Sequence, residues 1–399
     1  MHSQTVIISV NSSWNLVNFR SGLIAGLRRG GYDVVALSPL DGSTEALADL
    51  GAKHIPITMD QRGTSPVRDL RLLASYLHQL RRFRSAVFLG YTAKPNIYGS
   101  LAAHALGIPV INNVAGLGVT FIERNWLNRL VRVMYRAALR GSHRVFFQNP
   151  DDRALFVSDG IIDPAKTAVL PGSGIDLKRF APRPKEGAEG EFVFLLVARL
   201  LVAKGIRDFV EAARQLKSIF PTARWQIAGL SEGKRKDAIS ASELREWQSE
   251  GVVEYLGPLA DVRPAIAAAD VVVLPSYYPE GTPRSLLEGA AMGKPLITCD
   301  VPGCRAVVKD GVNGYFCLPK NPSSLALAMR SLAELPRHQL KAMGRASREL
   351  VEEQYDEQIV VQRYLEEIAA AFALNQRPDV EPARRSNARS SSQSTSARP

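Results

Sequence analysis

Residues 270–300 read DVVVLPSYYPEGTPRSLLEGAAMGKPLITCD. The run DVVVLPS is apolar without a break, the pattern of a parallel strand buried on both faces. YYPEGTPRS therefore falls at that strand's carboxyl end, where open α/β sheets bind ligands. A helix start follows: Thr282 suits the N-cap, Pro283 the first helical position, and RSLLEGAAM supplies good helix formers. Unpaired N–H groups and the positive end of the helix dipole then face the ligand side, and Gly281 lets main chain approach closely, which suits a phosphate or diphosphate. Glu280 precedes the helix and Glu288 lies inside it, so their roles must differ. A carboxylate beside a phosphate site is costly unless it accepts hydrogen bonds, and sugar hydroxyls are suitable donors.

Working outward, short β-branched runs alternate with amphipathic stretches on both sides of a break. TVIISV, DVVALSP, SAVFLG, PVINNV and RVFFQN precede it, with helices expected near 18–30, 43–51, 66–84 and 124–141. KTAVLPGSGIDLKRFAPRPKEGAEGE then reads as a linker. FVFLLVARL, ARWQIAGL, VVEYLG, DVVVLPS, KPLITCD and GYFCL repeat the alternation beyond it. The expected fold is α/β, two doubly wound Rossmann-like domains facing a cleft, over 1–180 and 181–374, with the last helices returning to the first domain. The remainder, 375–399, is rich in Ser, Arg and Pro and reads as a disordered basic tail.

Composition narrows the partners. The net charge is +11, of which the tail's five arginines against two acids leave about +8 on the folded part, inviting a polyanionic partner. Nucleic acid is disfavoured, since no aromatic platform interleaves with the basic run. No stretch approaches the roughly 18 apolar residues of a membrane span, and MHSQTVIISV does not read as a signal peptide, so the expected location is cytoplasmic. Cys299, Cys304 and Cys317 lack a CxxC spacing and read as packing thiols.

A second signal lies in VARLLVAKGIRDFVEA, where Arg199 ends a strand and Lys204 precedes Gly205 and a helix. Two cations at such a mouth can neutralise a diphosphate. GAAMGKP is one spacer short of a phosphate loop and has Pro295 where Ser or Thr must stand; GLGVTF lacks the third glycine of a dinucleotide fingerprint. Without an Asp-x-Asp pair, cations and a helix terminus are expected to hold the diphosphate, with magnesium dispensable and no cofactor.

The ordered set VARLLVAKGIRDFVEAA, VVEYLGPLADV and ADVVVLPSYYPEGTPRSLLEGAAMGKPLITCDVPGCRAVVKDGVNGYFC resembles the C-terminal half of glycosyltransferase family four, retaining enzymes of GT-B fold that use nucleotide sugars. FRSGLIAGLRRGGYDVVALSP, AKPNIYGSLAAHALGIPVINNVAGLG and VFFQNPDDRALF are similar to a bacterial subgroup that builds surface polysaccharide on a lipid carrier. The resemblance implies that Glu280 contacts the donor sugar and stabilises an oxocarbenium ion, and that Glu288 holds the ribose. Arg199 and Lys204 would stabilise the leaving diphosphate, with main-chain N–H groups of Gly281, Thr282 and Arg284 completing its site. The leaving phosphate would take the acceptor's proton, so no protein base is required. The implied donor is a UDP-sugar and the implied acceptor a polyprenyl-diphosphate-linked saccharide.

Many relatives carry histidines where this chain has Tyr91 and Asn113–Val114, which removes a histidine contact to the donor sugar. Gly116 and Gly118 either bring backbone to the ligands or form a turn. Lys94, Asn96 and Arg20 are candidates for the acceptor side of the cleft, as is Asn113. Residues 124–144 hold six arginines and no acid. Arg129, Arg132, Arg136 and Arg140 share one helical face, with Leu127, Leu130, Val131 and Met134 on the other. That face is either a solvated side of a packed helix or a contact with an anionic membrane surface at the inner face of the plasma membrane, with Trp126 dipping into the interface. The competing function is a non-hydrolysing nucleotide-sugar 2-epimerase, which shares the two-domain architecture.

Overall fold

Two all-parallel sheets organise the chain. The computed structural model describes residues 4–60, 63, 65–83, 85–117, 126–185, 191–231 and 237–375; Gly118, the start of the arginine-rich run and the tail beyond 375 lie outside the described residues. The first sheet comprises β1 (Thr5–Ser9), β2 (Asp33–Ser38), β3 (Ala52–Pro56), β4 (Ala86–Tyr91), β5 (Val110–Val114), β6 (Arg144–Phe147) and β7 (Thr167–Val169), in the order β3-β2-β1-β4-β5-β6-β7. The second comprises β8 (Val193–Val197), β9 (Arg224–Ala228), β10 (Glu254–Gly257), β11 (Val271–Leu274), β12 (Leu296–Cys299) and β13 (Gly314–Cys317), ordered β10-β9-β8-β11-β12-β13. In both, the order reverses beside the first strand, at β1/β4 and at β8/β11. Such switch points leave a crevice at the carboxyl ends.

The strands β3 and β7 fall where the sequence pattern shows none. Both are edge strands with half-exposed residues, and β7 is only Thr167–Val169 inside the stretch that reads as a linker. The helix expected at 18–30 is broken at Arg20 into Ser13–Phe19 and Ser21–Arg29, and the one expected at 66–84 ends at Leu80. Cys299 and Cys317 face each other across β12 and β13 with sulfurs 3.7 Å apart, unbonded and buried like Cys304.

Connections between the lobes lie side by side. Ile175 donates its N–H to the Tyr355 carbonyl at 2.7 Å, and Glu357 donates to the Ile175 carbonyl at 3.1 Å. From that crossing the helix Glu357–Asn375 returns to the first lobe. It buries Val360, Tyr364, Ile368 and Phe372, spaced every four residues, among Val6, Ile8, Leu23 and Ile24. A side chain on Gly26 would strike Val361, so the glycine sets how closely the two helices cross. Among the described residues no helix is long and apolar enough to cross a membrane.

Tyr364 is buried and its hydroxyl accepts from Asn113 Nδ2 at 3.0 Å. Tyr364→Ala is expected to cost about 3–5 kcal/mol, the range for deleting a large buried aromatic ring. A urea titration checks this, and a loss below about 1 kcal/mol would mean the returning helix contributes little to the first lobe.

Candidate active site

β8 and β11 are neighbours, so the loops that leave their carboxyl ends meet. Tyr277 donates its N–H to the Ala203 carbonyl at 3.0 Å, tying the loop after β11 to the turn Val202–Lys204. Gly205 follows in the left-handed region, φ 75°, and a Cβ there would collide with the Pro275 carbonyl. This fit brings Lys204 Nζ onto Glu280 Oε1 in an ion pair, with Ser276 Oγ donating to the same oxygen at 3.2 Å. Arg199 stands exposed at the rim, near enough for its charge to act on Lys204. Burial chiefly, and then the Arg199 charge, push the Lys204 ammonium down to about 7, with Cys304 pulling weakly the other way. The glutamate and both cations anticipated from the sequence are thus gathered at one mouth.

The loop 280–282 is pressed against the first lobe. Gly116 has φ 107° and its added Cβ would lie 2.7 Å from Gly281 N, so only glycine permits the approach. A Cβ on Gly281 would in turn strike Gln148 Oε1, and one on Gly303 would strike the Gly281 carbonyl. Thr282 does not cap the helix as anticipated. The helix runs Arg284–Ala291 with Pro283 at the N-cap position, and the Thr282 hydroxyl donates instead to the Gln148 carbonyl at 3.0 Å. Thr282 N–H also donates to Gln148 Oε1, at 3.3 Å. Asn149 Nδ2 reaches the carbonyls of Glu280 and Gly281 at 3.2 and 3.4 Å.

Glu288 lies deeper. Arg284 Nε donates to it at 3.1 Å, and the same guanidinium holds Ser173 Oγ at 3.1 Å and the Gly174 carbonyl at 2.8 Å at the interlobe crossing. Burial pushes the Glu288 carboxyl up, and Arg284 pulls against that.

The remaining first-lobe candidates divide. Arg20 is buried over the Tyr91 ring, 4.5 Å to its centroid, beside a small cavity also lined by Asn113, Ser173 and Glu357; its Nε lacks a hydrogen-bond partner. Asn113 links Tyr364 to Gln148, whose Nε2 donates to its Oδ1 at 3.1 Å. Lys94 and Asn96 are put to other uses. Lys94 pairs with Asp69 at 2.6 Å, and buried Asn96 donates to the Asn113 carbonyl and accepts from Asn112, which leaves neither poised for an acceptor. Sequence reasoning missed Gln148, Asn149, Ser173 and Glu357. The rule that placed Glu280 at the end of β11 would have pointed equally to Gln148 and Asn149 at the end of β6.

The helix Trp126–Leu139 differs from expectation on both faces. Arg132 pairs with Asp159, and Arg136 donates to the Gly160 and Asp159 carbonyls at 2.9 and 2.7 Å, so these two anchor the end of the next helix. Leu130 is not on the packed side. It is 47% exposed, with Trp126 at 75% and Val133 at 58%, a ridge at i, i+4 and i+7 flanked by exposed Arg129 and Arg140.

Two doubly wound parallel-sheet lobes in this strand order match the GT-B fold of glycosyltransferases. The fold matches a glycosyltransferase from Rickettsia africae (TM-score 0.75, 16% identity, 93% of this chain and 99% of that one). It also matches Anabaena HepE in complex with UDP and glucose (TM-score 0.74, 18% identity, 92% and 99%). Residues 18–172 match the model of the glycosyl transferase 4-like domain and residues 191–334 that of glycosyl transferases group 1, so the chain belongs to the family-four glycosyltransferases. It is 29% identical, over 88% of its length and 94% of the relative's, to N,N'-diacetylbacillosaminyl-diphospho-undecaprenol alpha-1,3-N-acetylgalactosaminyltransferase of Campylobacter jejuni. It is 26% identical, over 64% and 68%, to UDP-Gal:alpha-D-GlcNAc-diphosphoundecaprenol alpha-1,3-galactosyltransferase of Escherichia coli. These are transferases, and the epimerase reading has no support.

A diphosphate contacting Lys204 would favour its charged form, so nucleotide binding there would raise the lysine's pKa above the starting value of about 7. Such binding is expected to take up a proton, with affinity full below about pH 7 and declining as pH rises beyond it, by up to about tenfold per unit. Calorimetry of UDP binding in two buffers of different ionisation enthalpy, at pH 6.5 and 8.5, measures both, and an affinity flat across that range with no proton uptake would show that Glu280 alone keeps Lys204 charged.

Proposed function

We propose that this enzyme moves a hexose or N-acetylhexosamine, with retention, from a UDP-sugar to a polyprenyl-diphosphate-linked saccharide in surface polysaccharide assembly. One observation carries the reading: Glu280 and Lys204 in contact at the mouth of two adjacent strands, with Arg199 beside them. The similarity to undecaprenyl-diphosphate-dependent transferases supports the choice of donor and acceptor. The arriving diphosphate competes with Glu280 for the Lys204 ammonium. Once Lys204 turns to phosphate, Glu280 is released to accept from sugar hydroxyls and to stabilise positive charge at the anomeric carbon. Arg199 adds a second cation for the leaving group. The N–H groups of Gly281, Thr282 and Arg284 complete the phosphate site, with Gln148 Oε1 yielding the Thr282 N–H it accepts from. Glu288, oriented by Arg284, takes the ribose hydroxyls.

A panel of nucleotide sugars offered with a polyprenyl-diphosphate-linked saccharide tests the assignment. Glu280→Gln is expected to keep UDP affinity and to lower turnover on the order of a hundredfold or more. Full turnover by that variant would remove Glu280 from the chemistry.

The acceptor resides in a bilayer, and the ridge of Trp126, Leu130 and Val133 with Arg129 and Arg140 supplies a matching surface: apolar side chains for the interface and cations for anionic headgroups. Arg132 and Arg136 are left out because of their contacts within the fold. Each surface cation contributes about 1 kcal/mol near an anionic membrane, so Arg129→Glu with Arg140→Glu should weaken co-sedimentation with anionic vesicles by about tenfold or more. Trp126→Ser should weaken it at high salt too, and partitioning indifferent to all three changes would discard the surface.

A further inference from the structure

Helix Pro150–Ser158 begins with Asn149 at its N-cap, where Oδ1 accepts the Asp152 N–H at 2.7 Å. Ser, Thr or Asp would cap that helix as well, because capping needs only a side-chain acceptor. Asparagine alone among these also carries a two-hydrogen donor, and here both directions are used. Nδ2 donates to Asp152 Oδ2 at 3.0 Å on one side, and on the other it points across the cleft at the carbonyls of Glu280 and Gly281, 3.2 and 3.4 Å away. Asn149 and Asp152 are both buried in the first lobe, while the carbonyls belong to the second.

Resting on the transfer reading above, we propose that Asn149 is a positioning residue for the reaction: its carboxamide, oriented by Asp152, grips the main chain of the catalytic loop and so fixes where Glu280 stands. The hold is on carbonyls, which the diphosphate does not use, so it persists as Gln148 yields the Thr282 N–H. Its target is the backbone of Glu280 itself, a few bonds from the carboxylate that must meet the sugar. Displacements of about 1 Å at such a distance can cost on the order of a hundredfold in rate.

Asn149→Ser separates this role from capping. Serine keeps the capping oxygen and removes both N–H donors, whereas Asn149→Ala removes everything. The expected result in the full chain is that N149S melts near the wild type and binds UDP with unchanged affinity, while its kcat for transfer falls roughly 10- to 100-fold. Hydrogen exchange over the 280–284 backbone should become faster in the same variant, a readout that needs neither donor nor acceptor. N149S with wild-type exchange protection, or with wild-type kcat where the parent transfers sugar, overturns the proposal. A parent that binds no UDP-sugar and transfers none would instead overturn the functional reading, and the exchange experiment would still decide the grip.

Discussion

A carboxylate and an ammonium held in contact at a half-closed mouth is the condition on which the rest of this site depends. Neither Glu280 nor Lys204 would be tolerated there alone, since an unpaired charge out of water is costly. Their contact in turn demands that two loops from adjacent strands meet within a hydrogen bond. Gly205 against the Pro275 carbonyl and the Tyr277 N–H on the Ala203 carbonyl supply that closeness, with no side chain intervening. The pair is also mutable in charge. A stronger anion arriving between the loops can take the lysine, and the glutamate then finds itself facing a substrate rather than a counter-ion.

Contacts between the lobes are of two kinds, which differ in how readily water replaces them. The returning helix Glu357–Asn375 buries an apolar stripe in the first lobe, which water cannot replace. The loop 280–282 instead meets Gln148, Asn149 and Gly116 through hydrogen bonds between side chains and main chain and through glycine surfaces. Each such bond contributes only about 1 kcal/mol net, because water can take its place. The segments joining the lobes, around Ile175 and Asp356, pair with each other, so both connections pass through one narrow place.

Much of this was legible in the sequence because it was written in periodicity and punctuation. The unbroken apolar run of β11, the Gly-Thr-Pro after it and the lysine before a glycine place Glu280 and Lys204 by local rules. What escaped were features decided by partners far along the chain. Thr282 has the side chain of an N-cap, yet Gln148, 134 positions away, offers its hydroxyl an acceptor. Leu130 and Arg132 looked like opposite faces of one amphipathic helix, but the neighbouring turn at Asp159–Gly160 claims the arginine and nothing described covers the leucine. The strands β3 and β7 were invisible because an edge strand half in water has little apolar pattern to show. Asn149 could be read as a cap, and only the fold shows what its second functional end faces.

The side chains that the first lobe turns toward the loop bear on how the site answers to pH. On the first-lobe side the groups that touch the loop are carboxamides, Gln148 and Asn149, and Asn113 behind them, none of which titrates. Asp152, lifted by burial to about 6, acts only through Asn149. On the second-lobe side the shifted groups stand at the mouth itself. There burial moves Lys204 down and Glu288 up, both toward their neutral forms. In the proposed role a diphosphate would bring negative charge to the lysine and a ribose hydroxyl donors to the glutamate, each favouring the ionised form of the residue it meets. On that reading a ligand supplying both halves is favoured over phosphate or ribose separately.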